Sequence, residues 1–293
     1  MANSITIDST KCTNCGLCMQ VCFLGSFEQQ NGKVNVAADT SACIDCGHCA
    51  AACPVQAITN SKLDASQFEL INESTRADNE QLLALLKMRR SRREFKEERV
   101  PRDIIDKLIT AAIQAPSACN KQNINYTVID DPITLNQLSN RCVTGATQIA
   151  RILQHPIGKH IARLYLKNAY QDMVSLIPMI EKISKAHQSG VDLILHGAPC
   201  AILLHAPKND TLAHADAIYC SSNIMLAAET LGLGTCLIGF VTDPSRHDPE
   251  IKRMAHIPAD HDIHSTIALG YPKFKYTRSV AKQKPRVEYY GKD

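Results

Sequence analysis

The chain has 293 residues, with 32 Lys and Arg against 29 Asp and Glu, a formal net charge of +3, and 45% hydrophobic residues. That length supports a large core, and a charge so near balance gives no footprint for nucleic acid. Residues 1–10 lack a basic and then apolar leader, so the 13 cysteines are expected in a reducing cytoplasm, as metal ligands or core rather than disulfides. Residues 1–60 carry Lys11 and Lys33 against Asp8, Glu28, Asp39 and Asp45, a net of −2 that leaves +5 for the rest.

Eight cysteines carry the strongest signal. Cys12, Cys15, Cys18 and Cys22 form C-x2-C-x2-C-x3-C, and Cys43, Cys46, Cys49 and Cys53 repeat it before Pro54. This is the spacing of two [4Fe-4S] clusters, in which the fourth cysteine of each run ligates the other cluster. The implied sets are Cys12, Cys15, Cys18 with Cys53, and Cys43, Cys46, Cys49 with Cys22. Zinc usually draws on two C-x2-4-C pairs across a longer spacer or on Cys/His mixtures, a poor fit to two triplet-plus-one runs. Phe23 stands where a proline often follows, which leaves ligation intact because iron needs only the sulfur.

The two runs form an internal repeat at an offset of 31, which also maps Asp8-Ser9-Thr10 onto Asp39-Thr40-Ser41 and Gly16 onto Gly47. Asn31-Gly32, between Phe27-Glu28 and Lys33–Val36, predicts a hairpin. Residues 1–60 thus resemble a bacterial two-cluster ferredoxin. Residues 61–80 are mostly polar, with Phe68, Leu70 and Ile71, and read as a linker to one large domain over 81–293.

In that domain, residues 80–90 space Leu82, Leu83, Leu85, Leu86 and Met88 as a helix. Pro101 opens another, with Ile104, Ile105, Leu108, Ile109 and Ile113 on one face and Pro116 as its end. Residues 125–130 alternate as a strand, and Asp131-Pro132 caps a helix expected to reach about residue 141. Residues 145–188 read as mostly helical, broken at Pro156 and Pro178. A buried strand follows at 200–205, then a helix over 212–231 ended by Gly232, then strands at 236–241 and 266–269. The apolar stretch 217–241 is interrupted by polar residues and glycines, which favours a buried helix and strand over a membrane span. Helices and strands alternating around one sheet make the expected class α+β or α/β.

Four local signals remain. Arg89-Arg90-Ser91-Arg92-Arg93 offers guanidinium forks and a hydroxyl suited to phosphate. Ser117, Asn120 and Gln122 lie in an amide-rich loop after a helix. Gly232, Gly234 and Gly239 flank Leu237 and Ile238, and Lys273 and Arg278 follow the last strand. In this order the four resemble the nitroreductase superfamily of FMN-dependent reductases, over about residues 81–293. The resemblance implies an α+β homodimer with FMN in its interface. It implies that Arg89, Arg90, Ser91 and Arg93 hold phosphate and flavin edge, completed by Lys273 and Arg278. Ser117, Asn120 and Gln122 would come from the other protomer, and Leu237, Ile238 and Gly239 would line the ring through backbone groups. Asn123 follows Gln122 where many relatives have Pro and an aromatic residue, which leaves the substrate side of the pocket undefined.

The functional expectation is an FMN oxidoreductase that receives electrons through two [4Fe-4S] clusters and reduces a small nitroaromatic, quinone or enone. Its donor would be a low-potential protein such as reduced ferredoxin, or NAD(P)H, with no nucleic-acid or membrane partner. The alternatives are an electron-transfer module without a dedicated substrate, and a flavin-processing or dehalogenating enzyme of the same superfamily. No catalytic acid is identified, since Tyr126, Tyr165, His196 and His264 are candidates by residue type alone.

Overall fold

In the computed structural model, which describes residues 4–167 and 169–291, Asn31 and Gly32 hold positive φ of 50° and 76°. That backbone closes a tight hairpin, and β2 (Phe27–Gln30) pairs with β3 (Lys33–Val36) from Phe27↔Val36 to Gln30↔Lys33. The chain divides into two units, Met1–Ala77 with Ser117–Lys121, and Asp78–Pro116 with Gln122–Asp293. In the first, β1 (Ile5–Ile7) pairs antiparallel with β4 (Ile58–Asn60). Two short helices, α1 (Leu17–Val21) and α2 (His48–Ala51), hold the third cysteine of each run. The core of this unit is small: Ile5, Phe27, Val34 and Ile58 pack around Cys18 and Cys49. Beyond β4, Asp64 and Asn72 cap single 3-10 turns at Ala65–Gln67 and Glu73–Thr75.

The second unit opens with α3 (Asn79–Met88), whose Asp78 and Gln81 form a capping box. Helix α4 (Arg102–Ala112) starts after Pro101 and buries Ile105, Leu108 and Ala112. Each fully buried Ile or Leu contributes about 1.5–3 kcal/mol. After β5 (Asn125–Ile129), α5 (Pro132–Gln154) runs past the expected end at residue 141. Gly145 weakens a helix by about 1 kcal/mol, but burial of Leu138, Cys142, Val143, Ala146, Ala150 and Leu153 along one stripe outweighs it. At its end the His155 ring accepts from the N–H groups of Ile157 and Gly158 and starts α6 (Pro156–Leu166). Two more helices follow, α7 (Ala169–Ser175) and α8 (Ile177–Gln188).

The remaining elements are β6 (Cys200–Pro207), α9 (Ala213–Thr230), β7 (Gly234–Leu237), α10 (Gly239–Thr242), α11 (Pro249–Met254) and β8 (His261–Gly270). The strand expected to reach residue 241 stops at Leu237, and the chain turns into α10. An unbroken apolar run cannot separate buried strand from buried helix. The sheet order is β5-β6-β8-β7, with every neighbour antiparallel. Helices α4 and α9 cover one face through Leu108, Ala217, Ile224 and Ile267. Helices α5, α8 and α11 cover the other through Leu138, Ile183, Leu203 and Ile251. This is an α+β fold. No helix among the described residues is long and apolar enough to cross a membrane.

Candidate functional site

Two cavities in the first unit sort the eight cysteines. One is lined by Cys12, Cys15, Cys18 and Cys53. The other is lined by Cys22, Cys43, Cys46 and Cys49. Each thus takes three cysteines from one run and the fourth from the other. Local backbone explains the wrapping: Asn14 and Asp45 have φ of 58° and 51°, and Gly16 and Gly47 have 74° and 75°. Gly16 and Gly47 then cap the short helices, which carry Cys18 and Cys49 inward.

Burial pushes the Cys49 thiol up to about 11, with Cys22 and Cys46 nearby also raising it. Burial likewise raises Cys18. Thiolates gathered in such a place need a metal centre to stay deprotonated. Among the described residues no group of three or more His, Cys, Asp or Glu closes around one metal ion. Eight sulfurs, four around each of two cavities, fit iron–sulfur cubanes as donor sets.

In the second unit a pocket of about 410 Å³ is lined by Arg89, Arg90, Ser91, Arg93, Tyr276, Arg278, Val280 and Lys282. Five cations and no carboxylate among its described lining residues make it an anion site. Backbone pairing builds it. Ser91 bridges Thr235 in parallel and Arg92 N–H donates to Thr235 O at 2.8 Å, tying the segment to β7. Phe95 bridges Pro272, Lys96 N–H donates to Tyr271 O at 2.8 Å, and Lys273 N–H donates to Glu94 O at 3.0 Å. The chain after β8 is thereby laid along the arginine run.

The structure brings Arg89, Arg90, Ser91, Arg93 and Arg278 together but leaves Lys273 outside that lining. Lys282 and Tyr276 line it instead, and the sequence reading passed over both. A basic or aromatic residue every few positions in 273–282 was the available signal. Arg92, which stands within the run but outside its R-x-S-x-R pattern, is absent from that lining and only 7% exposed. Its Nη1 donates to Phe274 O at 3.1 Å, its guanidinium lies 3.9 Å from the Tyr276 ring centre, and Nη2 is 3.8 Å from Glu229.

Leu237 is half-exposed at the end of β7, while Ile238 is buried and its N–H donates to Thr266 O at 2.8 Å. Gly239 starts α10. Ser117 and Asn120 fall in the segment grouped with the first unit, where the Asn120 amide donates to Ile44 O at 3.2 Å and Asp45 O at 2.9 Å. Gln122 belongs to the second unit, and Cys119, Asn120 and Gln122 all have positive φ near 50°. Such non-glycine residues mark backbone held by its surroundings.

Of the titratable candidates, Tyr165 is exposed. Burial, reinforced by Cys220, raises Tyr126. Burial lowers both His196 and His264, assisted by Arg93 for the former and His214 for the latter. None of the four lines the cationic pocket.

The profile described as the Nitroreductase family matches residues 86–271, and that of the 4Fe-4S dicluster domain matches residues 4–54. A protein from Methanothermobacter thermautotrophicus named NADH dehydrogenase/NAD(P)H nitroreductase is 27% identical over 195 residues, 65% of this chain and 77% of that one. An NADH dehydrogenase from Thermus thermophilus is 27% identical over 188 residues, 63% of this chain and 83% of that one. The crystal structure of a nitroreductase with bound FMN from Bacteroides fragilis superposes with a TM-score of 0.53 at 21% identity, over 72% of this chain and all of that one. Iodotyrosine deiodinase bound to FMN and 3-iodo-L-tyrosine superposes at 0.51 and 17% identity, over 72% and 99%. Both structural likenesses are of fold.

Proposed function

The chain belongs to the nitroreductase family and carries a 4Fe-4S dicluster domain, and from that premise we propose that it is an FMN-dependent oxidoreductase that draws electrons through two [4Fe-4S] clusters to reduce a small organic acceptor. Residues 1–60 are the cluster domain, 61–80 the linker and 81–293 the flavin domain. The observation that carries the reading is the pairing, in one chain, of two four-cysteine cavities with a five-cation pocket.

The pocket's donor set fits a phosphate: guanidinium forks from Arg89, Arg93 and Arg278 match its oxygens and Ser91 adds a hydroxyl. Bound there, FMN supplies the exchange between single electrons and a hydride that the reaction needs. Ile238, Gly239 and Leu237 line the ring side, and Ser117, Asn120 and Gln122 contribute from the partner protomer of a homodimer. Cys12, Cys15, Cys18 and Cys53 hold the first cluster, and Cys43, Cys46, Cys49 and Cys22 the second. The donor is a low-potential protein such as reduced ferredoxin, with NAD(P)H as a direct reductant of the flavin. The acceptor is a nitroaromatic, quinone or enone, and the reaction belongs to the cytoplasm.

The test compares the anaerobically reconstituted full chain with a Cys12→Ser/Cys43→Ser variant that keeps FMN. Reduction of a nitroaromatic driven by reduced ferredoxin should fall at least tenfold in the variant, while NAD(P)H-driven reduction holds. Equal ferredoxin-driven rates would show that electrons bypass the clusters, and wild-type protein that binds no FMN would remove the flavin reading.

A further inference from the structure

The internal repeat makes each cysteine run a control for the other. Hydrogen bonds to sulfur match across the offset: Ser26 N–H donates to Cys22 Sγ at 3.4 Å, and Ala57 N–H donates to Cys53 Sγ at 3.3 Å. The left-handed positions at Asn14 and Asp45, and at Gly16 and Gly47, also match. Two features do not.

The first is charge. Asn14 Oδ1 lies 3.8 Å from Cys12 Sγ and accepts Val34 N–H at 3.0 Å. Its counterpart is Asp45, with a carboxylate oxygen 3.8 Å from Cys43 Sγ. Asp45 accepts from Ser4 Oγ at 3.2 Å, Asn60 Nδ2 at 2.8 Å and Lys62 Nζ at 2.7 Å. Lys62 is 66% exposed, so water screens much of its charge, whereas the Asp45 side chain is 18% exposed. In the first half Asp8 is paired with Lys11 at 3.6 Å, but its repeat partner Asp39 has Ala42 in the place of that lysine.

The second is cover. A Cβ added at Gly47 would sit 3.1 Å from Leu63 Cδ1 and 3.5 Å from the Phe68 ring, while one at Gly16 would meet nothing within 4 Å. Cys15 is exposed and its counterpart Cys46 only partly so.

Reduction adds an electron to a cluster, and a nearby carboxylate and the exclusion of water both oppose that added charge. We propose that Asp45 and the Leu63–Phe68 cover hold the second cluster, on Cys43, Cys46, Cys49 and Cys22, at a lower reduction potential than the first. The inference rests on the reading that both cavities hold clusters. Asp45 acts through the ligand loop as a tuning residue and is not itself a ligand.

The test is an EPR-monitored redox titration of the anaerobically reconstituted full chain at fixed pH, with dithionite supplying one electron per cluster. Iron and sulfide are assayed first. Fewer than about eight irons per chain fails the two-cluster reading itself, and eight irons isolates the present inference. Wild type should show two waves. Asp45→Asn should raise the lower wave by about a tenfold change in its reduction equilibrium, about 59 mV for one electron, and leave the upper one in place. Lys62→Gln should lower that same wave further, and Asn14→Asp should lower the upper wave. A single wild-type wave overturns the inference, as does an Asp45→Asn shift in the upper wave or in both equally. If Asp45→Asn loses iron, Lys62→Gln and Asn14→Asp decide. Failure of either to move its assigned wave overturns it equally.

Discussion

Gly234 lies directly beneath the stem of Arg92: a Cβ at position 234 would fall 2.6 Å from Arg92 Cγ and 2.8 Å from its Cβ. The protein's own arginine therefore requires glycine there. From that seat the Arg92 guanidinium reaches Tyr276, the Phe274 carbonyl and Glu229. It pins the chain that carries Arg278 and Lys282 beside the arginine run.

Gly234→Ala is expected to displace Arg92 and destabilise the protein by about 1–3 kcal/mol, the scale of overpacking in a filled site. Urea denaturation reads this directly. An unchanged midpoint would show that the Arg92 stem moves aside freely.

Arg89 and Arg92 should separate by phenotype. Arg89→Ala removes a fork from the anion pocket and should weaken FMN binding by about 1.5–3 kcal/mol, read by flavin fluorescence titration. Arg92→Ala leaves the largely covered Glu229 without its partner and strips the Arg92 contacts to Phe274 and Tyr276, and should lower stability by about 3 kcal/mol. Denaturation of the flavin-free protein measures that loss apart from binding.

The cavities predict which cysteine losses add. Cys12→Ser and Cys53→Ser act on one cavity, so each single variant and the double variant should all retain about four irons. Cys12→Ser with Cys22→Ser acts on both and should retain none. Iron analysis after anaerobic reconstitution would reverse this order if each run closed its own cluster.

His205 is buried, with Nε2 3.2 Å from Thr127 Oγ1 and Nδ1 2.9 Å from His261 Nδ1. Burial first, then His261 and His264, pulls its pKa from 6.5 down to about 4. Between those values the unfolded chain binds the extra proton, so the stability His205 contributes is full above pH 6.5 and declines as pH falls toward 4. His205→Gln should flatten the stability profile there by about 1–3 kcal/mol, measured as the wild-type minus variant difference in urea midpoints from pH 7 to 4.

The cysteine spacing, the Asn31-Gly32 hairpin and the helix starts at Pro101 and Asp131 were legible because each depends on residues within a few positions of one another. Ligand spacing on a turn, positive φ at glycine and a side chain capping its own helix are local physics. The arginine run was legible as a run, but not which arginine faces where. Ser91 and Arg92 lie in an extended stretch beside β7, where neighbouring side chains point to opposite sides. Arg92 turns inward, while Arg89 and Arg93 face the pocket.

The sequence by itself determined that this chain has two matching four-cysteine runs and a cation-rich domain of helices and strands. Only the tertiary structure decided that Lys282 rather than Lys273 lines the anion pocket, and that Arg92 is an anchor and Gly234 its seat. It also decided that the apolar run after Leu237 turns into a helix. Each of these depends on how segments distant in sequence fold back on one another, and backbone pairing and burial set that in three dimensions without leaving a periodic trace in the chain.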